Sequence, residues 1–284
     1  MFVIQPIHMA IAVLLLVSLN VVSASATEIL VPQQYSSIGE AIENAGSGDR
    51  ILVSKGTYRE NIVITMPLVL EAKDGPQDTV LEPLDPSKPV IKIVDTEKVG
   101  IKGFTIKGSR AAGLHLLRTK RSELVGSFIE ENYHGVLIEY SSYNMISDNT
   151  ITRNTDGISL YYSSNNMVLG NTVNKNNDKG IVLLSSHRNV IRNNSFDGNY
   201  WNGITLLSSH NNIITNNSAV QNSYAIVVTE SAGNLIRDNY TMRRLYFILP
   251  VVLVYLGIIF YQIERKIFAL YYSDKVKRIW KFRD

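Results

Sequence analysis

Glycine marks a period in this chain. Gly113, Gly135, Gly157, Gly180 and Gly203 are followed by Ala225 in the same role, at spacings of 22, 22, 23, 23 and 22 residues. A short apolar alternation follows each mark: Val136-Leu137-Ile138, Ile158-Ser159-Leu160, Ile181-Val182-Leu183, Ile204-Thr205-Leu206 and Ile226-Val227-Val228. A second triplet follows a recurring asparagine, as in Asn144-Met145-Ile146 and Asn212-Ile213-Ile214. A third follows another asparagine five residues later, at Asn149, Asn171, Asn194, Asn217 and Asn239. Triplets of period two bounded by Asn, Gly and Ser read as short strands with tight corners. A fixed period in the twenties without helical spacing means a solenoid.

Three strands in each 22–23 residues make a triangular coil. Each strand pairs in parallel with the same strand of the next coil, about 4.8 Å away, and the inward Ile, Leu and Val stack into one core. Asparagine tolerates left-handed corners and can bond both the backbone and its own copy one coil on. Of the 25 asparagines, 22 lie between Asn132 and Asn239, where corners should stack. A leucine-rich repeat is the rival solenoid, but its leucine pattern and helical side are absent. The predicted fold is therefore all-β, a parallel β-helix, with regular repeats over 100–242 and a cap with irregular first coils over 27–99. In that first part, Ser37-Ile38-Gly39-Glu40 reads as a capping box opening a helix through Ala45, with Ile38, Ala41, Ile42 and Ala45 on one face. This helix is expected to plug the open end of the core. Irregular strands are expected near 51–53, 62–64, 68–70, 80–82, 90–94 and 99–106.

Two apolar segments frame the repeat. Residues 7–22 are followed by Ser23-Ala24-Ser25-Ala26, which reads as a signal peptide over 1–26 cut after Ala26. No Lys or Arg precedes the apolar run, so an uncleaved anchor is the alternative. Residues 245–263 carry no charge; as a helix they span roughly 28 Å, close to the ~30 Å hydrocarbon core. They are expected to form a single transmembrane helix. Arg265, Lys266, Lys275, Lys277, Arg278, Lys281 and Arg283 follow, which by the positive-inside rule places a basic tail, 264–284, in the cytoplasm and the β-helix outside it. Residues 27–242 hold 19 of the 28 basic and 22 of the 25 acidic residues, so the net charge of +3 belongs to the tail and nucleic acid is not an expected partner. The absence of cysteine excludes a disulfide scaffold, a thiolate metal site and a cysteine nucleophile.

The stretch Val31-Pro32-Gln33-Gln34-Tyr35-Ser36-Ser37-Ile38, then Ala41-Ile42, Gly48-Asp49-Arg50-Ile51 and Gly56-Thr57-Tyr58, resembles the start of right-handed parallel β-helix proteins of the pectin-lyase-like superfamily. Later units such as Gly203-Ile204-Thr205-Leu206 and Asn212-Ile213-Ile214-Thr215-Asn216-Asn217 resemble the NosD-like branch, whose repeats also occur in carbohydrate-binding and sugar-hydrolase domains. The resemblance covers about 27–242. It implies a right-handed coil, and relatives that include polysaccharide lyases, epimerases, esterases and a copper-maturation accessory.

Superposing the coils puts His134, Asp156, Asp178, Trp201 and Tyr224 in one file, seven positions past the second corner. Glu131, Arg153, Lys175, Gly198 and Gln221 form another, four positions past it. Aromatic rings stack on apolar sugar faces, and Asp156 and Asp178 could accept hydroxyl hydrogen bonds or hold Ca²⁺. The alternative is that exposed corners are simply polar. As catalysts, Asp156 and Asp178 could supply the two carboxyls of a retaining glycosidase, and Arg153 or Lys175 the charge neutraliser of a lyase. His187 and His210 occupy equal places in successive coils and could hold Cu²⁺ or Zn²⁺, though two ligands make a poor site and no Met-rich or Cys-containing copper motif exists. Asn193, Asn216 and Asn239 head N-glycosylation sequons.

Three functions are compatible with these residues. The first is a membrane-anchored, surface-exposed module that binds glycan, envelope polymer or a partner protein without catalysis. The second is a polysaccharide-modifying enzyme using the Asp156/Asp178 edge. The third, from the resemblance alone, is an accessory to extracytoplasmic copper-enzyme maturation. No cofactor is required by the sequence, with Ca and Cu as candidates.

Overall fold

The computed structural model describes residues 26–243 and 253–268. The chain winds into a parallel β-helix of about ten turns, with three sheets of ten, eight and six strands and a two-stranded continuation of the last. Every pairing among the described strands is parallel, and like residues face like residues. Leu124, Ile146, Val168, Ile191 and Ile214 follow one another up the ten-stranded sheet. Val136, Ile158, Ile181 and Ile204 do so in the eight-stranded sheet. All nine are fully buried. Each such side chain contributes about 1.5–3 kcal/mol of burial, and the register is fixed because a one-residue slip would turn the whole set outward.

The corners explain the asparagines. Each coil turns through residues of positive φ, such as Tyr140, Tyr143, Asp148 and Arg153, and each is followed by a buried Ser or Asn. At Asn171 the side-chain oxygen accepts from Asn149 N and Asn149 Nδ2, both at 3.0 Å. Its Nδ2 donates to Ile146 O at 2.8 Å and to Asn194 Oδ1 at 3.0 Å. Besides the two asparagine files legible in the repeat, there is a third through Asn132, Asn154, Asn176, Asn199 and Asn222. A serine file through Ser141, Ser163, Ser186 and Ser209 does the same work with a hydroxyl. These files satisfy backbone donors that a buried corner would otherwise leave unpaired.

The glycine mark has a steric cause. A Cβ on Gly157 would lie 2.5 Å from Gly180 O, 2.3 Å from Val173 Cγ1 and 3.0 Å from Asn176 Nδ2, and Gly113, Gly135, Gly180 and Gly203 show the same closeness to the next coil's carbonyl. Ala225 can replace glycine because no further coil among the described residues stacks on it.

At the N-terminal end the helix Ile38–Glu43 buries Ile38, Ala41 and Ile42 against the first strands. It is shorter than the sequence predicts. Ser37 accepts from Glu40 N as expected, but the Glu40 carboxylate reaches back to Ser36 N rather than closing the box on Ser37. The stretch 99–106, expected as one strand, divides into Gly100–Lys102 and Thr105–Lys107, with the positive φ of Gly103 between them.

The membrane assignment is corrected. Residues 245–252 of the expected span, the signal peptide up to residue 25 and the tail beyond residue 268 lie outside the described residues. The described helix covers 253–268 and runs through Glu264, Arg265 and Lys266 rather than stopping at 263. Its 16 residues rise about 24 Å, and no helix among the described residues is long and apolar enough to cross a membrane. The expected location, with a cytoplasmic tail and an outward-facing β-helix, rested on that span and is withdrawn with it.

Candidate functional site

The outer face of the eight-stranded sheet carries the densest chemistry. Strands His134–Glu139, Asp156–Tyr161 and Asn202–Leu207 are six residues long, about 20 Å. Between their inward Ile, Leu and Val, the alternate residues Lys92, His115, Leu137, Ser159, Val182 and Thr205 align outward. At one side of this floor His134, Asp156 and Lys179 converge. His134 Nδ1 lies 3.0 Å from Ser159 Oγ and 3.7 Å from Asp156 Oδ2. Lys179 Nζ lies 3.8 Å from Asp156 Oδ1 and makes a close ion pair with Asp178. Lys179 N also donates to Asp156 Oδ1. At the other side His115 Nε2 meets Glu139 Oε2 at 2.8 Å, and Tyr161 stands edge-on to His134.

Burial sets the protonation of this group. It lowers the affinity of His134 for a proton, against the pull of Asp156, and lowers that of His115 against Glu139, so both imidazoles are neutral at pH 7. Burial raises the Asp156 carboxyl, with Lys179 acting the other way. Burial also works to lower Lys179, but the Asp178 hydrogen bond and the charges of Asp156 and Asp178 outweigh it and hold the amine above the ordinary lysine range.

The expected file of His134, Asp156, Asp178, Trp201 and Tyr224 is only partly one file. His134 aligns with Asp156, and Asn202 with Tyr224. In the two coils between, Asp178 continues the file from the corner side, since Asp178 N donates to Thr155 O as Asp156 N does to Tyr133 O, while Lys179 and Asn202 take the place just before the glycine, as Gly157 N→Lys179 O and Gly180 N→Asn202 O show. The cause is one extra residue in the turn: two residues separate Asn154 from Gly157, but three separate Asn176 from Gly180 and Asn199 from Gly203. Asp178 and Trp201 are neighbours through Trp201 N→Asp178 O. Arg153 turns to Glu130 and Glu131 of the preceding coil, and Lys175 stands exposed at the same corner one coil on. Neither is ion-paired to the Asp156 cluster. His115, Glu139, Ser159, Tyr161 and Lys179 were not singled out by sequence reasoning. The signal was there for two of them: a polar residue in the middle of an apolar triplet, as in Leu114-His115-Leu116 and Ile158-Ser159-Leu160, must face outward.

Exposed aromatic rings border the floor on both sides. Tyr133, Tyr200 and Trp201 precede the strands, Tyr224 opens its own, and Tyr140, Tyr162 and Tyr143 follow them. Tyr140 and Tyr162 are stacked, with centroids 5.2 Å apart and planes 6° from parallel.

Chemically, the cluster is not a nucleophilic triad. Ser159 is fully buried, and Ser159 and Asp156 both approach the same nitrogen of His134, whereas a triad needs them on opposite nitrogens. Asp156 and Asp178 are not a free carboxyl pair either, since one amine sits against both. His187 and His210 are stacked rings, centroids 5.2 Å apart. Each Nδ1 is occupied by a backbone N–H of the following coil, from His210 and Ala232 respectively. Asn193 and Asn216 are exposed at positive φ, whereas the Asn239 amide is engaged with Ile214 O and Arg237 O.

The fold recurs among solved structures. The chain is similar to an alginate lyase from Paenibacillus sp. str. FPU-7 (TM-score 0.57, 14% identity, covering 76% of this chain and 98% of that one). It is similar to a DFA-IIIase from Arthrobacter chlorophenolicus A6 (TM-score 0.62, 13% identity, 76% and 68%). It is also similar to the pectin methylesterase PemA from Erwinia chrysanthemi (TM-score 0.54, 12% identity, 78% and 94%). At such identities the likeness concerns the fold alone. A search of curated proteins finds no match. A family described as "Periplasmic copper-binding protein (NosD)" matches residues 42–244. The donors present do not fit copper: the stacked His187 and His210 offer one free nitrogen each, side by side rather than converging. Among the described residues no three His, Cys, Asp or Glu side chains gather into a metal-binding group. With the family match spanning most of the coil and the architecture in agreement, the chain belongs to the NosD family.

Proposed function

We propose that the outer face of the eight-stranded sheet binds a polysaccharide without cleaving it. The observation that carries this reading is the pair of exposed aromatic borders on either side of a floor of small, apolar and hydrogen-bonding side chains. Sugar rings present apolar C–H faces to such aromatics and hydroxyls to groups such as Asp178 and Asn202. The solved structures named for alginate and pectin support it only in that the same fold serves proteins acting on polysaccharides.

A catalytic reading stands on one observation, the raised Asp156 carboxyl beside a neutral His134. Against it, Asp156 is nearly buried and Lys179 engages both carboxylates of the edge. The test is binding and turnover measured together on the full chain. Retention on a polysaccharide gel, with no new reducing ends and no unsaturated products over a day, is the expected result. Trp201→Ala and Tyr140→Ala should each weaken binding 3- to 10-fold, corresponding to about 0.7–1.4 kcal/mol of lost stacking. Product formation that Asp156→Asn abolishes would replace this reading with the catalytic one.

A further inference from the structure

We infer that the polysaccharide held on this face carries no carboxylate groups, unlike the uronate polymers for which two of the similar structures are named. The inference rests on the glycan-binding reading above and concerns the charge of the same face. Three carboxylates, Glu139, Asp156 and Asp178, meet two lysines, Lys92 and Lys179, on it.

The cations of the floor itself are engaged or at its far end, and the exposed Arg110 and Arg188 stand at the corners, in line with Tyr133 and Tyr143, rather than on the floor. Lys179 lies against both Asp156 and Asp178. His115 is held by Glu139 and His134 by Ser159. Lys92 stands outside the ion pairs of the described residues, but it lies three coils before Ser159, about 14 Å along the axis. From the coil of Ser159 onward the floor continues as Val182, Thr205 and Val227, all neutral.

A polyuronate carries a carboxylate on every sugar. Lying along the axis, it would turn a share of them toward this floor, where a desolvated charge is costly without a cation beside it. Near Asp156, Asp178 and Glu139 it would meet like charge as well, which disfavours binding further. A neutral chain meets neither penalty and keeps the contacts the face does offer: aromatic borders for its C–H faces, and carboxylate and amide oxygens as acceptors for its hydroxyls.

The experiment is affinity electrophoresis of the full chain in native gels cast with a neutral β-glucan, galactan or mannan, and with polygalacturonate or alginate, all with EDTA. A parallel set contains CaCl₂, which would bridge carboxylates of protein and polymer. The expected result is retardation by at least one neutral polymer and none by either polyuronate in EDTA. Glu139→Gln/Asp178→Asn, checked for fold by circular dichroism, should make polyuronate binding measurable, with an affinity at least 10-fold above the parent's. Polyuronate bound in EDTA more tightly than every neutral polymer overturns the inference while leaving the glycan reading intact. Binding only when Ca²⁺ is present overturns it in the same way. Retardation by none of the polymers removes the glycan reading itself, and this inference with it.

Discussion

Substituting one rung of an asparagine file tests the physical basis of the coil. Asn171 is 1% exposed, so its bonds are not exchanged with water. Asn171→Ala leaves Asn149 N without its 3.0 Å acceptor, an orphaned buried donor worth about 1–3 kcal/mol. It also removes three donations, to Ile146 O, Leu169 O and Asn194 Oδ1, at about 0.5–1.5 kcal/mol each. Asn149 Nδ2 keeps Leu124 O, and Asn194 Oδ1 keeps Asn171 N, so the damage stops within one rung on either side. The expected loss is about 3–5 kcal/mol, a large share of the ~5–15 kcal/mol that holds a typical domain together. Serine should cost less, about 1–2 kcal/mol. In the same file Ser127 already accepts from Phe104 N and gives its proton to Val125 O, which is the job the orphaned Asn149 N and Leu169 O would need done. Aspartate should cost more than alanine, because its second oxygen would face three acceptors and carry a buried charge. Urea unfolding followed by far-ultraviolet circular dichroism, with an unchanged m-value, reads the ranking. An alanine variant within 1 kcal/mol of the parent, or a serine variant as damaged as alanine, refutes the claim that these files hold the corners.

The glycine mark predicts an asymmetry. Gly157→Ala should destabilise by about 1–3 kcal/mol or more through forced displacement of Val173 and the next coil, whereas Ala225→Gly should cost no more than about 1 kcal/mol, and the same urea midpoints compare them. Stability should also depend on acid. Burial depresses His134 and His115 below their ordinary 6.5, so the folded state resists protonation; its stability is whole above about pH 6.5 and is lost progressively as pH falls below it. Asp156, whose carboxyl is raised from 3.8, acts in the opposite direction. A His115→Gln/His134→Gln variant should flatten the decline between pH 6.5 and 5, and an unaltered slope in urea titrations at several pH values would count against buried neutral imidazoles.

The sheet face lost one feature between sequence and structure, and the reason is local. Counting from the corner asparagines gave Asp156 and Asp178 equal places, but it did not show that the turn before Gly180 holds one extra residue, Lys179, beside them. That single insertion sets the Lys179 amine against both carboxylates of the acid pair, and it changed the chemistry available there. The C-terminal helix was misjudged for another reason. Hydropathy registers the uncharged run at 245–263, whereas the described helix, 253–268, continues past it through Glu264, Arg265 and Lys266.

The amino-acid sequence alone determined the coil. The spacing of glycines follows from a carbonyl of the next coil lying where a Cβ would go, and the asparagines follow from backbone donors that no strand can satisfy. Both constraints repeat in every turn, so they are written into the chain at the same period. Only the tertiary structure decided which side chains meet on the outer face. His115 and Glu139 come from adjacent coils, 24 residues apart, and no local preference specifies them. They are brought together because hydrogen bonding between parallel strands converts a distance of one period along the chain into about 4.8 Å through space.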